Sequence, residues 1–466
     1  MSVMLTLSWI GIMMLVGVIL RAVIKPLGNI LMPASVIGGL IGFILMNTGT
    51  ITKLGADPNL CNSIVDIFFT ISFISIGLTG SQKVEGVSGG KEMLKGTFGL
   101  GFVWDLLYGL QPLVTFGALL LVGGFFSMAP EYGLLIPFAF CQGPGQSAVF
   151  GGLIEQAGWA GAQQVAITFA VLGFVWAFAL GAPIAKRGLK KKMATYPTEI
   201  SPAIAKGIYK PEEQKEIAGK MTTYNGNIDT LAFNLTLVGL CYVLGVGIQK
   251  LLLMVPVSLI QTMGSMTFFW GWIAAMIVRK IMEMVGVKQY HDDILQARIT
   301  GFSTDFLIAA AFMAVQLSVV GQWLVPILIS STICAIVTFF VCVFFTQRYG
   351  GVYDFERLLG MWGSATGTCP SGVALIRIVD PELKTTVPSE MGSMNLMMVP
   401  AGFLASFVIE FMAGRLSFSA ILIGYAICIV GSIIALLVTR TLRAKKSFDF
   451  FKGEKYLTIQ DLNRED

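Results

Sequence analysis

The sequence is poor in charge. Asp, Glu, Lys and Arg make up 13% of its 466 residues, against roughly 25% in an average soluble protein. So few charges cannot clothe a water-exposed surface, which excludes an ordinary soluble globule. Histidine occurs once, at His291, and this excludes a membrane histidine relay or a His-ligated metal site. Cysteines stand at 61, 141, 241, 334, 342, 369 and 428. Their number is odd and no CxxC spacing occurs, so neither a disulfide framework nor a zinc site is indicated. No GxxxxGK[ST] motif occurs, which argues against ATP drive. A membrane-embedded enzyme would need a nucleophile–base pair or a metal cluster, and neither is visible. No basic residue precedes the first apolar run and no small-residue cleavage pattern follows it, so a cleaved signal peptide is not expected.

What the chain has is apolar length. Hydrophobic residues make up 55%, the mean hydropathy is +0.77, and glycine numbers 53, in keeping with the higher glycine content of membrane helices. At ~20 apolar residues per crossing, a polytopic membrane protein follows. Apolar runs mark spans at 5–24, 31–47, 63–82, 96–126, 162–186, 227–251, 265–283, 302–320, 324–346, 387–412 and 418–440. Two further stretches, 133–156 and 356–379, are apolar but broken by Gly and Ser.

If both broken stretches enter the membrane and return to the same side, the spans alternate from an outside N-terminus to a cytoplasmic C-terminus. The positive-inside rule tests this. Of the 32 Lys and Arg residues, 29 then fall in cytoplasmic segments, leaving only Lys53, Lys250 and Arg415 outside. The net charge of +5 is thus a topology signal in loops and not a stripe for nucleic acid.

The same alternation gives the two broken stretches opposite orientation. The expected fold is an all-α polytopic membrane protein. It has two inverted-topology five-span repeats, each with a re-entrant Gly-rich hairpin, and one extra C-terminal span. Residues 1–186 form the first repeat, 187–226 a cytoplasmic linker with Pro197, Pro202 and Pro211, and 227–412 the second repeat. Residues 413–466 form the extra span and a tail that reads as a solvated end. Gly143, Ser147 and Val149 recur in order as Gly367, Ser371 and Val373, and Asp66, Phe73 and Leu78 as Asp305, Phe312 and Leu317.

The broken stretches carry the candidate chemistry. Irregular backbone at membrane depth survives only inside protein or against a water-filled cavity. Gly and Pro at each apex free N–H groups at a helix start, which attract a carboxylate, and carbonyls at a helix end, which coordinate a cation. Candidate substrate-binding residues are Gln142, Gly143, Gly145, Gln146 and Ser147 in the first stretch, and Thr366, Gly367, Thr368 and Ser371 in the second. Arg377 either grips a substrate carboxylate through a bidentate contact or anchors the cytoplasmic face.

Candidate sodium ligands are Asp66 and Asp305, taken to open spans 3 and 8, with Ser371 and the neutral oxygen donors Thr168, Ser393 and Asn395. The two aspartates alternatively mark span ends, and the neutral donors alternatively serve helix contact. Asp105 lies deeper, in span 4, without an obvious partner.

The segments MPASVIGGLIGFIL at 32–45, ISIGLTGS at 74–81, the block from Gln142 to Arg187 and GTCPSGVALIRIVDPE at 367–382 resemble the sodium/glutamate symporter family of bacterial inner membranes. The resemblance implies two inverted five-span halves, a homodimer, alternating access by a moving transport domain, and sodium-coupled glutamate uptake. It places Gly143, Gly145, Ser147, Gly367, Pro370 and Ser371 at the substrate and ion site. Expected partners are a small anionic substrate, the sodium ion and the lipid bilayer, with no other cofactor. The rivals are a proton-coupled carrier for another organic anion and, further off, a channel.

Overall fold

The structure is a computed structural model and describes residues 2–30, 32–79, 90–196, 206–209, 217–380, 384–394, 397 and 399–458. The first part of the chain forms α1 (Ser2–Val23), α2 (Lys25–Ile30), α3 (Ala34–Asn47), α4 (Pro58–Thr79), α5 (Gly90–Val122), α6 (Ile136–Phe140), α7 (Pro144–Gln156) and α8 (Ala162–Lys190). Then come α9 (Thr230–Leu253), α10 (Ser258–Gly264), α11 (Thr267–Val285), α12 (Asp293–Ala314), α13 (Leu317–Val320) and α14 (Leu324–Thr346). The last helices are α15 (Asp354–Thr366), α16 (Cys369–Val379), α17 (Val387–Met394), α18 (Val399–Met412) and α19 (Phe418–Val438). A short antiparallel hairpin of β1 (Phe448–Asp449) and β2 (Glu454–Lys455) follows.

Among the described residues, seven segments are long and apolar enough to cross a membrane: α1, α4, α5, α8, α9, α14 with α13, and α19. The other expected spans differ from unbroken crossings for local reasons. Pro33 sits ahead of α3, and its carbonyl accepts from Val36 and Ile37, so the helix has 14 residues, or about 21 Å. Pro400 ends the helical run expected over 387–412 and opens α18 as a separate helix. Asp66 and Asp305 do not open their helices, because α4 starts at Pro58 and α12 at Asp293.

The chain packs into two compact units, each built from both halves of the sequence. Unit 1 takes Met1–Met14, Gly38–Gln82 and Tyr209–Ala314. Its heart is the antiparallel pair α4 and α12, joined by Phe68 against Phe302 and Phe306, by Ser72 with Thr304 and by Gln296 with Ser75. Ile74, Leu78, Val238, Cys241, Ala274, Ala275 and Val278 close an apolar core with α9 and α11. Arg279 at the end of that core donates to the Leu78 carbonyl and to Asp293 at 2.7 Å.

Unit 2 takes Leu15–Ile37, Lys83–Ile208 and Val315–Asp466. Helix α19 shows how its exterior is meant for lipid. Ile423, Ile427, Val430, Ile434 and Leu437 are each more than half exposed, while Ile421, Tyr425 and Leu436 on the other face are buried. An outward row of aliphatic side chains suits hydrocarbon and would be an aggregation face in water.

One end of unit 2 is organised by Arg357, which is fully buried. Its Nε and Nη2 form a fork onto Glu390 at 2.8 and 2.7 Å, and Nη1 reaches Glu92 at 2.8 Å and Asp354 at 2.7 Å. The remaining Nη2 hydrogen goes to the Glu92 carbonyl at 2.9 Å. All five guanidinium donors are thereby used, and α5, α15 and α17 are tied at one point.

The described part of the tail beyond α19, up to residue 458, is not the solvated end expected from its charge. Ser447 donates to Asp354 at 2.6 Å, Lys455 to Thr195 at 2.7 Å, and Arg187 to the carbonyls of Phe450 and Phe451. Phe448 and Phe450 pack on Phe355 and Phe339. The alternation of Phe448 and Phe450 with polar neighbours makes a short strand that charge counting overlooks. The start of the expected linker is docked too, since Thr195 donates its N–H to Glu356 at 2.6 Å.

Replacing Arg357 with Ala strands three carboxylates in a buried place. We expect a loss of about 3–5 kcal/mol, read as a lowered thermal midpoint of the purified protein. Lys452→Ala, exposed on the same tail and tied there by its backbone N–H to Asp449, serves as a mild control.

Candidate functional site

Two helix breaks meet inside unit 2. In the first, α6 ends at Phe140, the chain turns through Cys141 and Gln142, and α7 starts at Pro144. Gly143 makes the turn with φ of 84°, a conformation that L side chains avoid. In the second, α15 ends at Thr366 and α16 starts at Cys369, with Thr368 as its cap accepting from the Ser371 N–H. A Cβ on Gly143 would stand 2.4 Å from Thr368 Cγ2 and 3.1 Å from the Gly367 carbonyl oxygen. The breaks are therefore in contact, and glycine is required on the first for both its torsion and its lack of bulk.

Each second helix begins with proline at its first turn, Pro144 in α7 and Pro370 in α16. Proline removes an N–H that would be unsatisfied there anyway, and the other first-turn amides have no intrahelical carbonyl to bond, although in α16 the Ser371 N–H is taken by Thr368. Two helix starts at one place offer donors and positive partial charge to an anion. Ser147 is fully buried and donates to the carbonyls of Gly143 and Phe138. Ser371 and Thr368 exchange a hydroxyl hydrogen bond at 3.1 Å. Gln146 is 2% exposed and its Oε1 has no partner among the described residues, so an acceptor with no donor stands at the start of α7. Ser364 Oγ on α15 is likewise buried and unmatched.

Both breaks hang on α5, a set of contacts absent from the sequence-based candidates. Gln111 Nε2 donates to the Ala365 carbonyl at 2.8 Å and to Thr338 Oγ1 at 3.1 Å, while its Oε1 accepts from Cys141 Sγ at 3.2 Å. Trp104 Nε1 donates to the Cys141 carbonyl at 3.2 Å, and Tyr108 reaches the Gln142 side chain at 3.4 Å. A signal existed: Trp104, Tyr108, Gln111 and Thr115 fall at helical spacing on one face of an otherwise apolar run.

The remaining candidates are spread out. Thr366 donates to the Trp362 carbonyl and Thr168 to the Gln164 carbonyl, both at 2.7 Å within their own helices. Arg377 is exposed in the last turn of α16, at the end away from the break, which favours the anchoring role over a grip on substrate. Ser393 is half-buried in α17, and Asn395 lies outside the described residues. Asp66 and Asp305 belong to unit 1. Asp66 Oδ1 is buried without a hydrogen-bond partner among the described residues, as is Asn62 Oδ1 one turn earlier on α4, whereas Asp305 is exposed and engaged. Among the described residues no group of three or more His, Cys, Asp and Glu side chains is arranged to hold a metal ion.

An apolar many-helix body enclosing paired, polar helix breaks is the build of a multi-pass membrane transport protein. Comparison with known proteins narrows this. A profile of the sodium/glutamate symporter family matches residues 1–382. The sodium/glutamate symporter of Haemophilus influenzae (strain ATCC 51907 / DSM 11121 / KW20 / Rd) is 23% identical over 421 residues, covering 86% of this chain and 93% of that protein. The chain belongs to the sodium/glutamate symporter family, a family of transporters and not of enzymes.

We expect Gly143→Ala to lower transport at least tenfold while the protein still reaches the membrane, because its Cβ drives into Thr368. Gln111→Leu leaves the Ala365 carbonyl unmatched and costs about 1–3 kcal/mol. Thermal unfolding with and without substrate checks both, and an unchanged substrate response in either variant refutes the coupling of the breaks.

Proposed function

We propose that the protein is a sodium-coupled symporter that imports L-glutamate or a closely similar small anionic amino acid by alternating access. The observation that carries this reading is the contact of the two helix breaks at Gly143 and Thr368; in this reading the first-turn amides of α7 and α16 receive the substrate carboxylates. Gln146, Ser147, Thr368 and Ser371 supply the neighbouring polar groups, and Gln142, Gly145, Thr366 and Gly367 shape the backbone around them. Sodium is held by oxygen donors of unit 2, among Thr168, Ser371 and Ser393, whereas Asp66 and Asp305 belong to unit 1. Family membership supports sodium and glutamate as the transported pair.

The two Gly-rich hairpins are re-entrant, and the halves 1–186 and 227–412 are inverted repeats joined by 187–226. The make-up of the units supports this. Unit 1 draws α3 and α4 from the first half and α9, α11 and α12 from the second, while unit 2 draws α5 to α8 and α14 to α18. Each half thus contributes helices to both units and places its break in unit 2. In this reading unit 2 is the moving transport domain and unit 1 the fixed one, in a homodimer. The protein sits in the bacterial inner membrane with its N-terminus outside and its C-terminus in the cytoplasm. Two sodium ions with one monoanion move one net positive charge inward, which at 100 mV supplies about 2.3 kcal/mol for accumulation.

The test is radiolabelled L-glutamate uptake into proteoliposomes under an inward sodium gradient, a matched potassium gradient or a proton gradient. We expect accumulation with sodium alone. Uptake that ignores sodium sinks the coupling, and sodium-stabilised protein that ignores glutamate moves the substrate to another carboxylate.

A further inference from the structure

Asp105 lies outside the site described above, though on the same helix that holds it. It is 5% exposed in the middle of α5, so it faces the interior of unit 2 and neither lipid nor a second subunit. Helix α19 covers this stretch closely. Cys428 Sγ donates to the Asp105 backbone carbonyl at 3.1 Å, and a Cβ on Gly109 would stand 3.3 Å from the Tyr425 carbonyl oxygen and 3.4 Å from Cys428 Cβ. Its Oδ1 is buried with no hydrogen-bond partner among the described residues, and none of the ion pairs among them involves this aspartate.

The titratable groups around it are soft or weakly acidic. Tyr108 is on its own helix, Cys428 and Tyr425 on α19, and Cys141 at the first break, beyond which lie Cys334 and Cys342 of α14. The Tyr425 hydroxyl is also buried and unmatched. Glu390 on α17 is consumed by Arg357. A hard cation such as sodium needs several carboxylate, carbonyl or water oxygens, and thiols and phenols do not supply them. A bare carboxylate in this dry interior is costly. Binding one proton removes the charge without any further ligand.

We propose that Asp105 is a proton-binding site carried within unit 2, separate from the sodium ligands, whose occupancy gives transport its pH dependence. Protonation is a simple transfer of H+ to one carboxylate oxygen, with no other bond made or broken. The pH-dependence clause rests on the symporter reading; the proton site itself does not.

The experiment is an infrared pH titration of the purified full-length protein without substrate, beside the Asp105→Asn variant. We expect a protonated-carboxyl C=O band that fades on alkaline titration in the wild type and is missing in Asp105→Asn. Parallel uptake assays at fixed sodium gradient should show a pH profile that the variant flattens. If Asp105→Asn does not fold, Asp105→Glu replaces it and is expected to shift both the band and the profile. A titrating band unchanged by either variant overturns the proposal, as does an Asp105 band that persists at every pH. If uptake fails in all proteins while the band behaves as expected, the symporter reading falls and the proton site stands.

Discussion

A broken helix in an apolar interior must find partners for its freed backbone groups, and in this protein α5 provides them. Gln111, Trp104 and Tyr108 take up the carbonyls, thiol and amide of both breaks. Without that polar stripe, two interrupted helices could not persist beside each other away from water. The breaks in turn fix where first-turn amides and small hydroxyls gather. The candidate site is therefore a consequence of how backbone polarity is satisfied, with α5 as the common support.

The Arg357 cluster plays a comparable part at the end of unit 2. One guanidinium facing Glu92, Asp354 and Glu390 joins three helices that are far apart in sequence. A buried ion cluster is a poor source of net stability but a strong source of geometric definition, because any partial arrangement leaves a charge unpaired. The tail hairpin adds Ser447 to the same cluster. Its docking ties the extra helix α19, and with it the wall around Asp105, to the beginnings of α5 and α15.

The units cut across the order of the chain. The first half sends the start of α1, most of α3 and α4 to unit 1 and the rest to unit 2, and the second half sends α9 to α12 to unit 1 and its later helices to unit 2, so neither half is a folding neighbourhood of its own. Within unit 1, α4 and α12 pair through phenylalanines and a row of hydroxyl and amide groups. Within unit 2 the long α5 is the axis.

Apolar run length, charge placement and the Gly/Pro breaks are local properties, so the sequence alone determined the membrane class, the helical content and the position of both breaks. Even the first-turn prolines and the capping Thr368 could be read from neighbouring residues. The sequence did not reveal that Gln111 joins the breaks, because its partners Cys141, Thr338 and Ala365 come from three other segments. Nor did it reveal the docking of the described tail, whose charges suggested solvent, or that Arg377 is exposed at the far end of α16 from the break. Asp66 and Asp305 looked like span openings because hydropathy marks where apolar residues begin, whereas the helices begin earlier, at Pro58 and Asp293. Local composition decides which segments leave water. Which polar groups then meet is decided by long-range packing, since in an apolar interior each must be satisfied by whatever the fold brings beside it.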